Sequence, residues 1–252
     1  MTEDRRAVVI GGAGGIGSDV CRKLALLGYR VVVADFDEDG ARKVMDDLSG
    51  SGHEVARLDV TRAESVHAAL LGIEASGPAS VLVVASGGPV VHLGQRTHVA
   101  TLGKDDWDRT IALNLTGVFC CVQAFAQLRL ATPMEHSRII LIGSAAGELA
   151  GNGTDIAYGT AKAALLGLTR QAAFDLAAAG ITVNNVAPGP VGTPEFFRNT
   201  NEQIRAGIAS LAALKRIATP EEVSAGVAYL ASREAACITG ATLAINGGIH
   251  MH

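Results

Sequence analysis

Tyr158 and Lys162 stand four residues apart in "DIAYGTAKAALLGLTRQAAFDL" (155–176), and they are the pair in this chain best suited to moving a proton. The run around them is apolar at helical spacing, so it reads as one long helix with both side chains on one side, a turn apart. A tyrosine hydroxyl ionises near pH 10 and is a poor base at neutrality, but an ammonium beside it favours the phenolate. Lowering that ionisation by about two or three units takes ~3–4 kcal/mol of differential stabilisation, which a partly dry site with positive neighbours supplies. A surface tyrosine above a solvated lysine has the same spacing, so the pair gains meaning only from other residues.

The next candidates lie near the start. "VVIGGAGGIGSD" (8–19) ends an apolar run, turns on glycine and opens a helix. Helix-end N–H groups and the dipole suit a pyrophosphate there, and glycines let the backbone approach it closely. Two glycine sets fit: Gly12, Gly14 and Gly17 as G-x-G-x-x-G, or Gly11, Gly15 and Gly17 as G-x-x-x-G-x-G. A second β-branched run, "RVVVA" (30–34), ends in Asp35, where a carboxylate accepts from the hydroxyls of an adenosine ribose. A turn or capping role would also account for Asp35. If the carboxylate meets a ribose it repels a 2′-phosphate, and its neighbours Phe36 and Gly14 offer no cation, so the expected cofactor is NAD.

These residues need a scaffold that brings strand ends together. Short runs at 7–10, 30–34, 53–60, 80–84, 138–142, 181–186 and 241–245 read as strands, and most lack the polar alternation of a half-exposed sheet. Helical patterns lie between them at 16–28, 38–50, 62–74, 105–130, 155–179 and 220–232, with Asp37 and Thr219-Pro220 as helix starts. The expected fold is α/β, a doubly wound parallel sheet of the Rossmann type with helices on both faces, and 1–252 form a single domain. Two long irregular stretches, 86–106 and 186–203, the second with helical turns, follow strand C-terminal ends, where such sheets bind ligands.

Composition agrees with buried strands and tight turns: of 252 residues, 48% are hydrophobic and 18% charged, with 30 glycines. A net charge of -4 without a Lys/Arg run argues against a nucleic-acid or anionic membrane surface. Cys21, Cys120, Cys121 and Cys237 form no CxxC pair and read as small thiols of a reducing, cytoplasmic protein. The opening residues lack a signal-peptide segment, and no stretch of about 18 uncharged apolar residues appears for a membrane span.

Taken in order, Gly11-x-x-x-Gly15-x-Gly17, Asp59-Val60, Asn114, Ser144, Tyr158-x-x-x-Lys162 and "APGPVGTP" resemble the short-chain dehydrogenase/reductase family over nearly the whole chain. The resemblance selects Gly11, Gly15 and Gly17, with Ile16 between them, as the cofactor loop. It implies a hydride transfer between NAD(H) and a secondary alcohol or ketone, with Tyr158 as general acid/base. Lys162 would lower the Tyr158 pKa and bind the nicotinamide ribose, Ser144 would hydrogen-bond the substrate oxygen, and Asn114 would hold a relay water. Asp59 and Val60 would meet the adenine, and Pro188, Val191 and Thr193 the nicotinamide end. Family members commonly form homotetramers or homodimers, so the same is expected here.

The chain departs from the family in three places. Ile10 replaces a threonine, "VASG" (84–87) replaces N-N-A-G, and Ser144 stands fourteen positions before Tyr158, one more than is common. The substrate pocket is expected from about 86–106, 145–155 and 186–213. There Phe196 and Phe197 could form a lid or simply pack, and Arg96, Arg198 and Arg205 could meet an anionic group. His92 and His98 lack metal-ligand spacing, and no metal is expected. Two rivals remain: a 3-oxoacyl-thioester reductase using NADPH, against which Asp35 argues, and a non-catalytic dinucleotide sensor or scaffold.

Overall fold

A computed structural model describes residues 5–89, 98–150 and 155–251. All seven expected strands form: β1 Arg6–Ile10, β2 Arg30–Asp35, β3 Glu54–Arg57, β4 Val81–Val84, β5 Arg138–Ile142, β6 Thr182–Pro188 and β7 Thr242–Ile245. They make one sheet in the order β3-β2-β1-β4-β5-β6-β7, every pairing parallel. Alternate residues feed two separate cores. Val8, Ile10, Leu82 and Val84 face one, and Ala7, Val9, Val81 and Val83 face the other. Both halves of the period-two pattern are therefore apolar, which is why the strands show little polar alternation.

Helices α1 Gly15–Leu26, α2 Glu38–Asp46 and α9 Pro220–Ala231 cover one face. Helices α3 Ala63–Ser76, α5 Gly117–Ala131 and α6 Ile156–Leu176 cover the other. The expected caps form. Asp37 accepts from the Gly40 N–H at 3.0 Å, and Thr219 with Glu222 makes a reciprocal capping box before Pro220. Chain order reverses between β1 and β4, which opens a crevice at their C-terminal ends.

One expectation is corrected and another extended. The helix expected over 105–130 is broken into α4 Lys104–Ile111, a π-helical turn Ala112–Thr116, and α5. In the turn, the buried Asn114 gives its side-chain amide to the Thr110 carbonyl at 3.0 Å and to Gly88. The extra residue in that turn aims Asn114 into the protein, as π-bulges at functional positions do. Just beyond it Gly117 lets the helix graze the Val60 loop, since a Cβ there would stand 2.6 Å from the Val60 carbonyl oxygen. The second stretch carries the helical turns expected there as α7 Pro194–Asn199, and α8 Glu202–Leu211 begins at its end and runs beyond it; neither helix buries a residue.

The helical run Lys104–Ala131 is long and apolar enough to cross a membrane by length and composition, contrary to the sequence reading. Its apolar side instead lies in the core, with Val118, Cys121, Val122 and Phe125 buried beneath α3. The cysteines are all free thiols, and burial pushes Cys21 and Cys121 well above the ordinary thiol range. His92 and Arg96 lie outside the described residues.

The glycine loop is held by close backbone packing. Gly11 has φ +82°, and a Cβ at Gly17 would stand 2.0 Å from the Gly11 carbonyl oxygen. Gly17→Ala must therefore push the loop off the start of α1. The expected result is a Tm lower by about 4–8 °C, corresponding to ~2 kcal/mol, with weakened dinucleotide binding. Thermal melts and NADH titration check it, and an unchanged Tm would mean the loop relaxes freely.

Candidate active site

A cleft of about 560 Å3 runs over the strand ends from Asp35–Asp37, past Leu58–Val60 and the loop residues Gly11 and Gly14, to Ala85–Gly87 and Leu113. Asp35 closes one end. Its two carboxylate oxygens accept from Ala13 N–H at 2.9 Å and from Asp37 N–H at 3.0 Å, so it also fixes the glycine loop. Asp59 lines the cleft with Val60, and one of its oxygens accepts from the Thr61 N–H and hydroxyl at 2.9 and 2.6 Å. Phe36 stands 62% exposed on the wall.

The cation that the sequence reading found lacking at this end is present. β2 and β3 pair Asp35 with Arg57, whose guanidinium lies 5.4 Å from the Phe36 ring centroid. Chain neighbours alone do not reveal it, because the partner arrives through sheet register.

At the other end the departures from the family pattern are absorbed. Ile10 lies in the sheet core, 1% exposed. Asn114 clasps Gly88, accepting from its N–H at 2.9 Å and donating to its carbonyl at 3.0 Å, which ties the "VASG" loop to the π-turn. Gly87, at φ +131°, closes the gap beneath. A Cβ there would meet the Asn114 amide oxygen at 2.7 Å and Lys162 Nζ at 3.2 Å. Asn114, Gly87 and Lys162 thus share one small space.

Lys162 is buried on α6, and its Nζ donates to the Ile142 carbonyl at 2.9 Å. Burial pulls its pKa down to about 8. Nζ lies 5.7 Å from the Tyr158 ring centroid. Burial pushes the half-buried Tyr158 phenol above its usual range, a hydrogen bond with Ser144 pulls it back, and Asp155 pushes it up again. The expected lowering by Lys162 is therefore not built into the protein alone, because burial disfavours charge on both partners. Ser144 caps a short 3-10 turn, Ala145–Gly147, by accepting from the Ala146 N–H at 3.1 Å, and this holds its hydroxyl at the Tyr158 end.

Thr193 caps α7 by accepting from the Phe196 N–H at 3.2 Å, and its Cβ lies 2.6 Å from where a Cβ on Gly15 would be. It therefore folds over the phosphate loop. Val191 is buried and bridges to Ala218, while Pro188 ends β6. Ile16 packs partly buried against the core under α1. Gly15 lies outside the lining of the cleft and borders a second cavity, beyond Thr193, with Gly192, Phe197 and Arg205. The guanidinium of Arg205 stacks on Phe197 at 5.2 Å.

An adenine dinucleotide fits what is present. The cleft has bare glycine backbone at its centre and a carboxylate at one end. The Ser86 hydroxyl on its wall is buried and has no partner among the described residues. Gly11 and Gly14, which line the cleft, would hold the pyrophosphate, Asp35 the adenosine ribose, and Lys162 the nicotinamide ribose.

A doubly wound parallel sheet with this glycine loop and a serine–tyrosine–lysine cluster over its crevice defines an oxidoreductase of the short-chain dehydrogenase/reductase family. The chain belongs to that family, and the model described as enoyl-(acyl carrier protein) reductase matches residues 11–250. Among curated relatives it is 36% identical over 250 residues to 3-oxoacyl-[acyl-carrier-protein] reductase FabG of Escherichia coli (strain K12), across 99% of this chain and 98% of that one. It is 33% identical over 256 residues to (3R)-3-hydroxyacyl-CoA dehydrogenase of Canis lupus familiaris, across 97% and 96% of the two chains. Among solved structures, a 3-oxoacyl-[acyl-carrier protein] reductase with bound NAD from Brucella melitensis superposes with a TM-score of 0.89 at 25% identity, over 100% of this chain and 93% of that one.

Proposed function

We propose that this chain interconverts a 3-oxoacyl thioester and the corresponding 3-hydroxyacyl thioester, using NAD(H). The substrate class rests on the printed activities of the relatives, which favour the thioester reading over the small secondary alcohol that the residues first suggested. The cofactor preference rests on one observation, the Asp35 carboxylate locked at the adenosine end by two backbone N–H groups. A solved relative named both as a 3-oxoacyl reductase and as having bound NAD supports pairing a thioester substrate with Asp35.

A bound nicotinamide dinucleotide supplies or takes the hydride. Ser144 hydrogen-bonds the reacting oxygen and steadies its developing charge. Tyr158 donates its proton to that oxygen in reduction and accepts it back in oxidation. Lys162 holds the ribose and keeps positive charge near the phenol, and Asn114, through the Gly88 clasp, fixes the backbone that lies against Lys162. An intact Ser144, Tyr158 and Lys162 weighs against a purely sensing or scaffolding protein, which needs no proton relay.

We also place the chain, as one domain, in the cytoplasm as a homotetramer or homodimer. The exposed Phe119, Leu130 and Phe174 on α5 and α6 give a second copy apolar surface to cover.

Separate fluorescence titrations with NADH and NADPH test the cofactor assignment. A 2′-phosphate would stand beside Asp35, but Arg57 offsets part of the repulsion. The expected preference for NADH is therefore about 10-fold, or ~1.4 kcal/mol, rather than several orders of magnitude. Equal or tighter NADPH binding would overturn the role given to Asp35. Turnover of acetoacetyl-CoA, against none with simple secondary alcohols, tests the substrate class.

A further inference from the structure

Asp155 is the residue at the reacting end that the proposed mechanism does not use. It stands at the N-cap of α6, three residues before Tyr158, and is 4% exposed. One carboxylate oxygen, Oδ1, accepts from the Tyr158 N–H at 2.8 Å, while the Asp155 carbonyl accepts from the Gly159 N–H at 3.1 Å. The other oxygen, Oδ2, is buried and has no hydrogen-bond partner among the described residues. An N-cap needs one acceptor, and Ser, Thr or Asn provides it without charge. A carboxylate whose buried oxygen has no partner among the described residues exceeds what capping requires, and burying charge without a partner is unfavourable.

We propose that Asp155 is a positioning residue for the proton transfer: one oxygen fixes Tyr158 at the start of its helix, and the buried carboxylate holds a negative charge against that residue. The inference rests on Tyr158 as the acid/base of the proposed reaction and adds a direction to it. A negative charge disfavours the phenolate, so it keeps Tyr158 in the protonated form that donates to a carbonyl. The direction of the Asp155 effect on the phenol agrees.

Other charged groups on the packed elements are few. Lys162 on α6 opposes Asp155 from the next turn, and Glu148 stands just after the Ala145–Gly147 turn. On α4, Lys104 pairs with Asp108 and Arg109 with Asp106, and Asp105 is exposed. Asp155 and Lys162 thus bracket Tyr158 along one helix with opposite charge.

Asp155→Asn keeps the acceptor and removes the charge, and Asp155→Ala removes both. The chain has three tyrosines, so ultraviolet difference titration with Tyr158→Phe as the reference isolates the Tyr158 phenol. With NAD bound, the Asn variant is expected to titrate about one unit below the unsubstituted protein, a shift that a purely structural cap would not produce. The high-pH limb of carbonyl reduction should move down by the same amount. Asp155→Ala should add a fall in kcat that Asp155→Asn and Asp155→Ser, both competent caps, restore. Coincident titrations of Asp155→Asn and the unsubstituted protein would overturn the proposal, and Asp155→Ser replaces Asn in the comparison if Asn does not fold. The phenol titration needs no substrate, so absence of thioester turnover would count against the function and leave the test of Asp155 standing.

Discussion

Tyr158→Phe is expected to lower kcat by about 10²–10⁴-fold while leaving the NADH dissociation constant within about threefold. The substitution removes one oxygen and keeps the ring, so the space beside Lys162 stays filled. What is lost is the proton that must reach the substrate oxygen as the hydride arrives. Ser144 cannot replace it, because it meets the same oxygen only as a hydrogen-bond partner and an aliphatic hydroxyl is too weak an acid to give up its proton. For the same reason Ser144→Ala combined with Tyr158→Phe should fall little below Tyr158→Phe alone, since both act on one oxygen. Steady-state turnover beside a direct NADH titration separates the two effects. A Tyr158→Phe variant with near-normal turnover would remove Tyr158 from the chemistry and return the non-catalytic reading to consideration.

The legible parts of this protein were those written locally. Strand positions followed from short β-branched runs, the phosphate loop from glycines between a strand and a helix, and the α2 and α9 starts from Asp37 and Thr219. What escaped notice depended on distant segments meeting. Arg57 reaches the adenosine end only because β3 pairs with β2 in a particular register. The "VASG" loop looked impaired until the fold set Asn114 around Gly88. The π-turn at Ala112–Thr116 interrupts an apolar run whose periodicity gives no sign of it. The extents of α7 and α8, beyond the helical turns expected near 186–203, were illegible for the opposite reason: neither buries a residue, so neither needs an apolar stripe. Asp155 reads in sequence only as the first residue of the long helix, and its importance comes from burial.

Lys162 carries the second large effect, and it has two signs. Lys162→Met should abolish most turnover, by about 10²-fold or more, yet stabilise the cofactor-free protein at neutral pH. The ammonium is buried with a single hydrogen bond among the described residues, to the Ile142 carbonyl, and its pKa falls from 10.5 to about 8. Because the folded pKa lies below the unfolded one, the unfolded chain binds more protons between these values, and stability rises with pH across that window. Below about pH 8 the unfavourable burial is fully present, worth ~3 kcal/mol, and losing the Ile142 hydrogen bond returns about 1 kcal/mol of it. Methionine is therefore expected to raise stability by ~2 kcal/mol at pH 7, about 4–8 °C in Tm, with the advantage fading as the pH approaches the unfolded value. Thermal melts of both proteins across pH check the sign, and a lower Tm for Lys162→Met at pH 7 would mean the ammonium is better solvated than its burial implies. Bound NAD should narrow the difference, because ribose hydroxyls give the ammonium the partners that the protein withholds. A residue that destabilises the empty protein and is satisfied by its cofactor is what selection for catalysis, rather than for packing, leaves at the centre of a site.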